Sequence, residues 1–314
     1  MTLEDKLAAA LEAGRQKAED ILELRSAAHA RRTAALQANT STTTLRTQSA
    51  LAEATAPAAV LETAGFLAAA GDSWFDYPFH DVLKLLDDHY GYNIESSAHK
   101  GDPIEKMAYQ GGQLEDFARK LEKIKARGVV PKAVLVSGGG DDVAGNEFGM
   151  LLNNANSPIA GWDDGIVDAV VNERILTAYS QMLMSITHLC VQSFGKAVPI
   201  LIHGYDYPVP DGRGFLGGWP FPGPWLDPGF REKNFDDLQK RIPMMVVIMD
   251  SFNKMVESLT THPNFGHLVY VNLRGTLSNR LADYKDWWAN ELHPTEKGFE
   301  AVTDKFAAAL AKLP

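Results

Sequence analysis

The stretch Gly65-Phe66-Leu67-Ala68-Ala69-Ala70-Gly71-Asp72-Ser73 decides how this chain is read. Its first six residues carry no charge, the pattern of a strand buried on both faces. Gly71-Asp72 ends the run with turn chemistry. A serine in that place stands where an α/β sheet exposes its loops, and its hydroxyl becomes a nucleophile once a base takes its proton. A histidine suited to the task, His293, lies far downstream and is followed by Pro294.

Outward from this strand the pattern repeats. Apolar runs at 133–137, 197–202 and 267–272 alternate with helical stretches at 79–89, 103–127, 166–194, 230–260 and 295–312, and a weaker strand lies at 92–96. Strand–helix alternation with buried strands predicts a parallel sheet covered on both faces, with ligands beyond the carboxyl ends of the strands. Residues 63–314 are expected to form this domain, and 1–62 a helical arm and linker. In the arm, Leu3, Leu7, Leu11, Ile21 and Leu24 recur at helical spacing. Their stripe is thin and alanine-rich, so both an oligomerisation arm and a helix packed on the body stay open. Residues 38–62, rich in Thr, Ser and Ala, read as the linker.

Composition narrows the function classes. The 314 residues, 45% hydrophobic, suffice for one large domain with an appendage. A net charge of -10 argues against nucleic acid as the main partner. The single cysteine, Cys190, leaves no intrachain disulfide and no cysteine-built zinc site. No run has the length of a membrane span, and the N-terminus lacks the pattern of a secretory signal, so a cytoplasmic protein is expected.

Three further motifs fall at strand ends or helix starts. Gly101-Asp102 follows the second strand, where a glycine lets its N–H approach a reacting oxygen. Ser137-Gly138-Gly139-Gly140-Asp141-Asp142 follows the third. Asn290-Glu291-Leu292-His293-Pro294 leads into the last helix, with Pro294 suited to its first turn. Taken singly, each also reads as an ordinary turn, loop or structural histidine. In this order, the four pieces over residues 65–312 resemble the SGNH/GDSL hydrolase family. The resemblance implies a flavodoxin-like three-layer α/β/α fold, mostly with esterase, lipase or carbohydrate deacetylase activity. It implies Ser73 as nucleophile, His293 as general base, and the N–H groups of Ser73 and Gly101 as oxyanion donors. It calls for neither metal nor organic cofactor.

Two positions depart from the family. Asp141 stands where an asparagine usually donates to the oxyanion, and an aspartate can donate only when protonated. Asn290 stands where an aspartate usually orients the histidine; Glu291, Asp286 or a backbone carbonyl are alternatives for that role. An irregular segment from His203 to Phe230 carries Tyr205, Tyr207, Phe215, Trp219, Phe221 and Trp225. It is expected to form a lid or wall for an apolar acyl or aryl group, with Tyr205, Tyr207, Phe215 and Trp219 contacting substrate. Trp287 and Trp288 are candidates for the same pocket. The expected function is hydrolysis of a small-molecule ester through Ser73 and His293. A binding protein of low or no activity on the same fold is the alternative that Asp141 and Asn290 raise.

Overall fold

The computed structural model describes residues 1–43, 63–145 and 147–314. A long helix α1 (Leu3–Thr43) comes first, and then β1 (Gly65–Ala70), α2 (Val82–Tyr90) and β2 (Tyr92–Ser96). Helices α3 (Ile104–Gln110) and α4 (Gly112–Ala126) lead to β3 (Ala133–Val136) and a short α5 (Gly140–Val143). A small hairpin, β4 (Leu152–Asn153) and β5 (Gly161–Trp162), precedes α6 (Asp164–Asp168). A π-helical stretch, Ala169–Ile175, joins α6 to α7 (Leu176–Phe194). The remainder is β6 (Ile200–His203), α8 (Asp227–Glu232), α9 (Leu238–Ser258), β7 (Leu268–Val271) and α10 (Glu296–Leu310).

The main sheet runs β2-β1-β3-β6-β7 with every pair parallel. In order of succession this is 2-1-3-4-5, the flavodoxin-like doubly wound arrangement, whose switch point lies between β1 and β3. The loops carrying Ser73 and Asp141 leave the sheet at this point. β1 and β3 are buried from Leu67 to Ala70 and from Ala133 to Val136, as their uncharged runs predict.

Local signals explain where elements differ from expectation. The stretch read as one helix at 103–127 is two, because Gly111 takes a left-handed conformation (φ 80°) between α3 and α4. Asp81 caps α2, accepting from the Lys84 N–H at 2.9 Å, so the helix begins three residues later than read. The stretch at 230–260 divides into α8 and α9. The β4–β5 hairpin has two residues per strand, too short for a periodicity to register.

The first half of α1 lies against the body. Ala10, Leu11, Ala18 and Ile21 are buried, Ser185 Oγ of α7 donates to the Gly14 carbonyl at 2.9 Å, and Arg25 forms a two-pronged pair with Glu122 of α4. Of the two open readings of this helix, the packed one describes its contacts. Of the expected linker, 38–43 continue α1, and the remainder lies outside the described residues.

Gly71 fixes the separation of the two strand ends. A Cβ there would stand 2.8 Å from Ser137 Cβ and 2.9 Å from its carbonyl oxygen. Gln113 of α4 clamps the same residue, accepting from its N–H at 2.8 Å and donating to its carbonyl at 3.0 Å. Gly71→Ala is therefore expected to lower the unfolding free energy by about 1–3 kcal/mol through overpacking. The urea denaturation midpoint measures this, and an unchanged midpoint would contradict the close approach.

Candidate active site

Asp72 shapes the turn that presents Ser73. Its buried carboxylate accepts from the Trp74 N–H at 3.0 Å, from Ser137 Oγ at 2.6 Å and from the Tyr205 hydroxyl. The Trp74 indole N–H donates to the Leu292 carbonyl at 3.1 Å, which ties this turn to the loop before α10. Ser73 Oγ and His293 Nε2 lie 2.7 Å apart, 220 residues separated in sequence. Thr295 caps α10, so Pro294 precedes the cap instead of occupying the first helical turn.

Asn290 orients the histidine. Its Oδ1 accepts from the backbone N–H groups of Leu292 and His293, each at 2.9 Å, and lies 3.0 Å from His293 Nδ1. The two backbone donors determine which side of the amide is oxygen. An amide oxygen only accepts, so Nδ1 carries the imidazole proton and Nε2 turns its lone pair to Ser73. The Asn290 amide N–H donates to the Tyr77 hydroxyl at 3.2 Å, and the Tyr77 ring stacks on the imidazole with centroids 4.4 Å apart. His293 is 6% exposed, and burial pushes its pKa down to about 3.

Of the alternatives to Asn290, Glu291 is engaged elsewhere. Glu291 is fully buried and accepts from four backbone N–H groups, those of Gly212, Trp225, Leu226 and Asp227, at 2.6–3.0 Å. It anchors the aromatic segment to the histidine loop. Burial raises its pKa and these four bonds oppose the rise. The two ring nitrogens of His293 are at Asn290 Oδ1 and Ser73 Oγ, with no bond to Asp286 among the described residues.

The other two strand-end motifs reach the same place. Gly101 (φ 76°) lines a cleft of about 350 Å³ together with Ser73 and His293. Asp141 lines that cleft and also an inner cavity of about 50 Å³. Its Oδ2 is buried and meets no hydrogen-bond partner among the described residues. Burial, with the charges of Asp72, Asp142 and Asp102 around it, pushes its pKa up to about 7. Asp142 is structural: it accepts from the N–H groups of Ile104 (2.6 Å) and Glu105 (3.3 Å) at the start of α3. Among the described residues no group of three or more His, Cys, Asp and Glu is arranged to hold a metal ion.

The aromatic segment divides. Phe215, Phe221 and Trp225 line the cleft with Tyr77, whose ring meets Phe215 edge-on at 5.7 Å between centroids. Tyr205 lines the inner cavity beside Asp72. Tyr207 does not line either space, because its hydroxyl is drawn to Asp250 at 2.8 Å. Trp219 is 94% exposed, placed at a loop tip beyond the left-handed glycines Gly217 and Gly218. Both were expected at the substrate, and neither lines the cleft or the cavity. Trp288 walls the inner cavity, whereas Trp287 stacks under Lys297 at 4.0 Å. Sequence reasoning missed one face of α9, Met245, Ile248, Met249 and Phe252, which lines the cavity at helical spacing. It also missed Tyr77 and Leu292.

No family model and no curated protein matches the sequence. Solved structures do resemble the fold. A member of the lipolytic G-D-S-L family from Veillonella parvula is 11% identical, with 79% of this chain and 99% of that chain covered and a TM-score of 0.41. A catalytic mutant of an acetylxylan esterase from Geobacillus stearothermophilus is 13% identical, covering 80% and 95%, with a TM-score of 0.41. An α/β hydrolase from the Lake Arreo metagenome is 14% identical, covering 80% and 97%, with a TM-score of 0.39.

The neutral state of His293 has a measurable sign. Its folded pKa of about 3 lies below the ordinary 6.5, so the unfolded chain takes up the proton first. The associated stability is present above about pH 6.5 and is lost as the pH falls toward the folded value. In NMR spectra its C2 proton is expected to stay in place from about pH 8 to about pH 5. Asn290→Asp places a charge beside Nδ1 and is expected to raise this pKa. A midpoint near the ordinary value in the unsubstituted chain would contradict the burial effect.

Proposed function

We propose that the protein is a serine hydrolase that cleaves a carboxylic ester or related acyl bond. One observation carries the reading: Ser73 Oγ sits 2.7 Å from an imidazole nitrogen whose lone pair faces it, with Asn290 holding the other nitrogen. His293 Nε2 takes the Ser73 proton as Oγ bonds to the carbonyl carbon, and the carbonyl π pair moves onto oxygen. The backbone N–H groups of Ser73 and Gly101 are assigned to that oxyanion. The tetrahedral intermediate collapses, the carbon–oxygen bond to the alcohol breaks, and His293 returns its proton to the departing oxygen. Water repeats the sequence on the acyl-enzyme, with His293 as base again, and restores Ser73. No metal or organic cofactor enters this cycle.

An amide at position 290 is compatible with the chemistry. In the serine-protease template, asparagine for aspartate costs about 10⁴ in kcat because it stabilises the wrong tautomer. Here two backbone donors hold the amide oxygen toward His293, which removes that part of the loss. The remaining cost is the missing negative charge beside the imidazolium. Protonated Asp141 is assigned as the third oxyanion donor, whereas its ionised form would repel the developing charge.

The second reading, a ligand-binding protein of low activity, draws on the same histidine: a base with a pKa near 3 is weak. The pH profile separates the two. The hydrolase reading requires neutral His293 and protonated Asp141, a window between about 3 and about 7. Above it, kcat/KM for a p-nitrophenyl ester is expected to fall about tenfold per pH unit. Asp141→Asn is expected to remove that fall and to raise the rate well above the window by about 10²–10³. Hydrolysis unchanged in Ser73→Ala would overturn the mechanism, and no hydrolysis at any pH by folded protein would favour the binding reading.

A further inference from the structure

The two spaces beside Ser73 differ in kind. The inner cavity is small and apolar, walled by Phe148, Met245, Ile248, Met249, Phe252 and Trp288. The outer cleft is larger and faced by the rings of Tyr77, Phe215, Phe221 and Trp225. Ser73, Asp141 and Leu292 line both, so the serine stands at their junction. A substrate reacting there must place one side of its carbonyl carbon in each.

His293 decides the orientation. The group that receives its proton is the leaving oxygen, which must come within hydrogen-bond reach of Nε2. His293 lines the cleft and does not line the inner cavity. An alcohol departing through the cavity would turn its oxygen away from His293, the group that holds the proton taken from Ser73. Resting on the hydrolase reading above, we propose that the cavity takes a short acyl chain and the cleft takes a ring-bearing alcohol. Size sets the chain. By the measure on which one water-sized group needs about 10–15 Å³, the cavity admits roughly three to five such groups. With the carbonyl carbon at Ser73, acyl groups of about four to six carbons fill it, acetyl leaves most of it empty, and longer chains exceed it. Its polar lining holds the aspartates Asp72, Asp141 and Asp206 and no cation, so an anionic acyl group is excluded. The four rings of the cleft supply flat apolar faces for an aryl or sugar ring.

A series of p-nitrophenyl esters from acetyl to decanoyl tests this, with the methyl esters of the same acids as partners without a ring. The unsubstituted protein is expected to prefer butanoyl over acetyl by about fifteenfold in kcat/KM, from two buried methylenes at about fourfold each. The preference should fall beyond about six carbons. Met245→Ala deepens the cavity and is expected to raise the octanoyl-to-butanoyl ratio about tenfold or more. Ala144→Leu, at a partly exposed cavity position, should move the optimum toward acetyl and serves if the methionine variant fails to fold. Phe221→Ala, in the cleft, should raise KM for the aryl ester relative to the methyl ester and leave the acyl profile alone. A butanoylated pyranoside beside the aryl ester distinguishes a sugar ring from an aryl ring.

Acyl preference that follows Phe221 and ignores both Met245 and Ala144 would reverse the orientation and overturn the proposal. So would a rate that does not depend on chain length. Hydrolysis of no ester by the unsubstituted protein would instead overturn the hydrolase reading on which the proposal rests.

Discussion

The carbonyl oxygen of the Asn290 side chain is the point on which the site turns. Three N–H groups converge on it, two from the backbone of Leu292 and His293 and one from the imidazole. The backbone pair makes the loop a small closed unit and sets the amide orientation, and the Tyr77 hydroxyl accepts from the amide's other end. Everything downstream follows from that orientation: the proton on Nδ1, the lone pair on Nε2, and the use of that lone pair by Ser73. A carboxylate would add attraction for the imidazolium, but it would not be needed to select the tautomer.

The acids around this unit receive different numbers of donors. Glu291 has four backbone N–H groups and holds the aromatic segment. Asp72 has three donors and shapes the serine turn. Asp142 has two and reaches about 6, whereas Asp141 Oδ2 has none and Asp141 is pushed furthest, to about 7. Burial without donors disfavours the charged form, and donors to the carboxylate restore it. The acid left unpaired is the one at the junction of cavity and cleft, where the proposed mechanism calls for a protonated donor.

Much of the fold and the centre of the site were legible in the sequence, for local reasons. The apolar run before Gly71 is too short for a helix bounded by such a turn, and the same holds for the strands ending at Val136 and His203. Asn290 and His293 lie three residues apart, close enough for one turn to join them. The surroundings were less legible because they depend on direction. Aromatic composition marked the segment from His203 to Phe230 as a wall but could not tell Phe215, facing the cleft, from Trp219, facing solvent. Glu291 is adjacent to Asn290, yet its side chain faces the opposite loop. The cavity face of α9 carries an ordinary core periodicity; only the tertiary arrangement shows that Met245 and Phe252 border a space beside the serine.

The central claim is that Ser73 is an activated nucleophile, and it can be tested without knowing the substrate. Intact-mass detection of fluorophosphonate labelling, comparing the unsubstituted chain with Ser73→Ala, reads it directly. The account predicts one adduct per chain near pH 6 to 7, absent from the variant, because neutral His293 removes the serine proton as Oγ bonds to phosphorus and the P–F bond breaks to release fluoride. Folded protein that takes no label, or a variant that keeps it, would contradict the account.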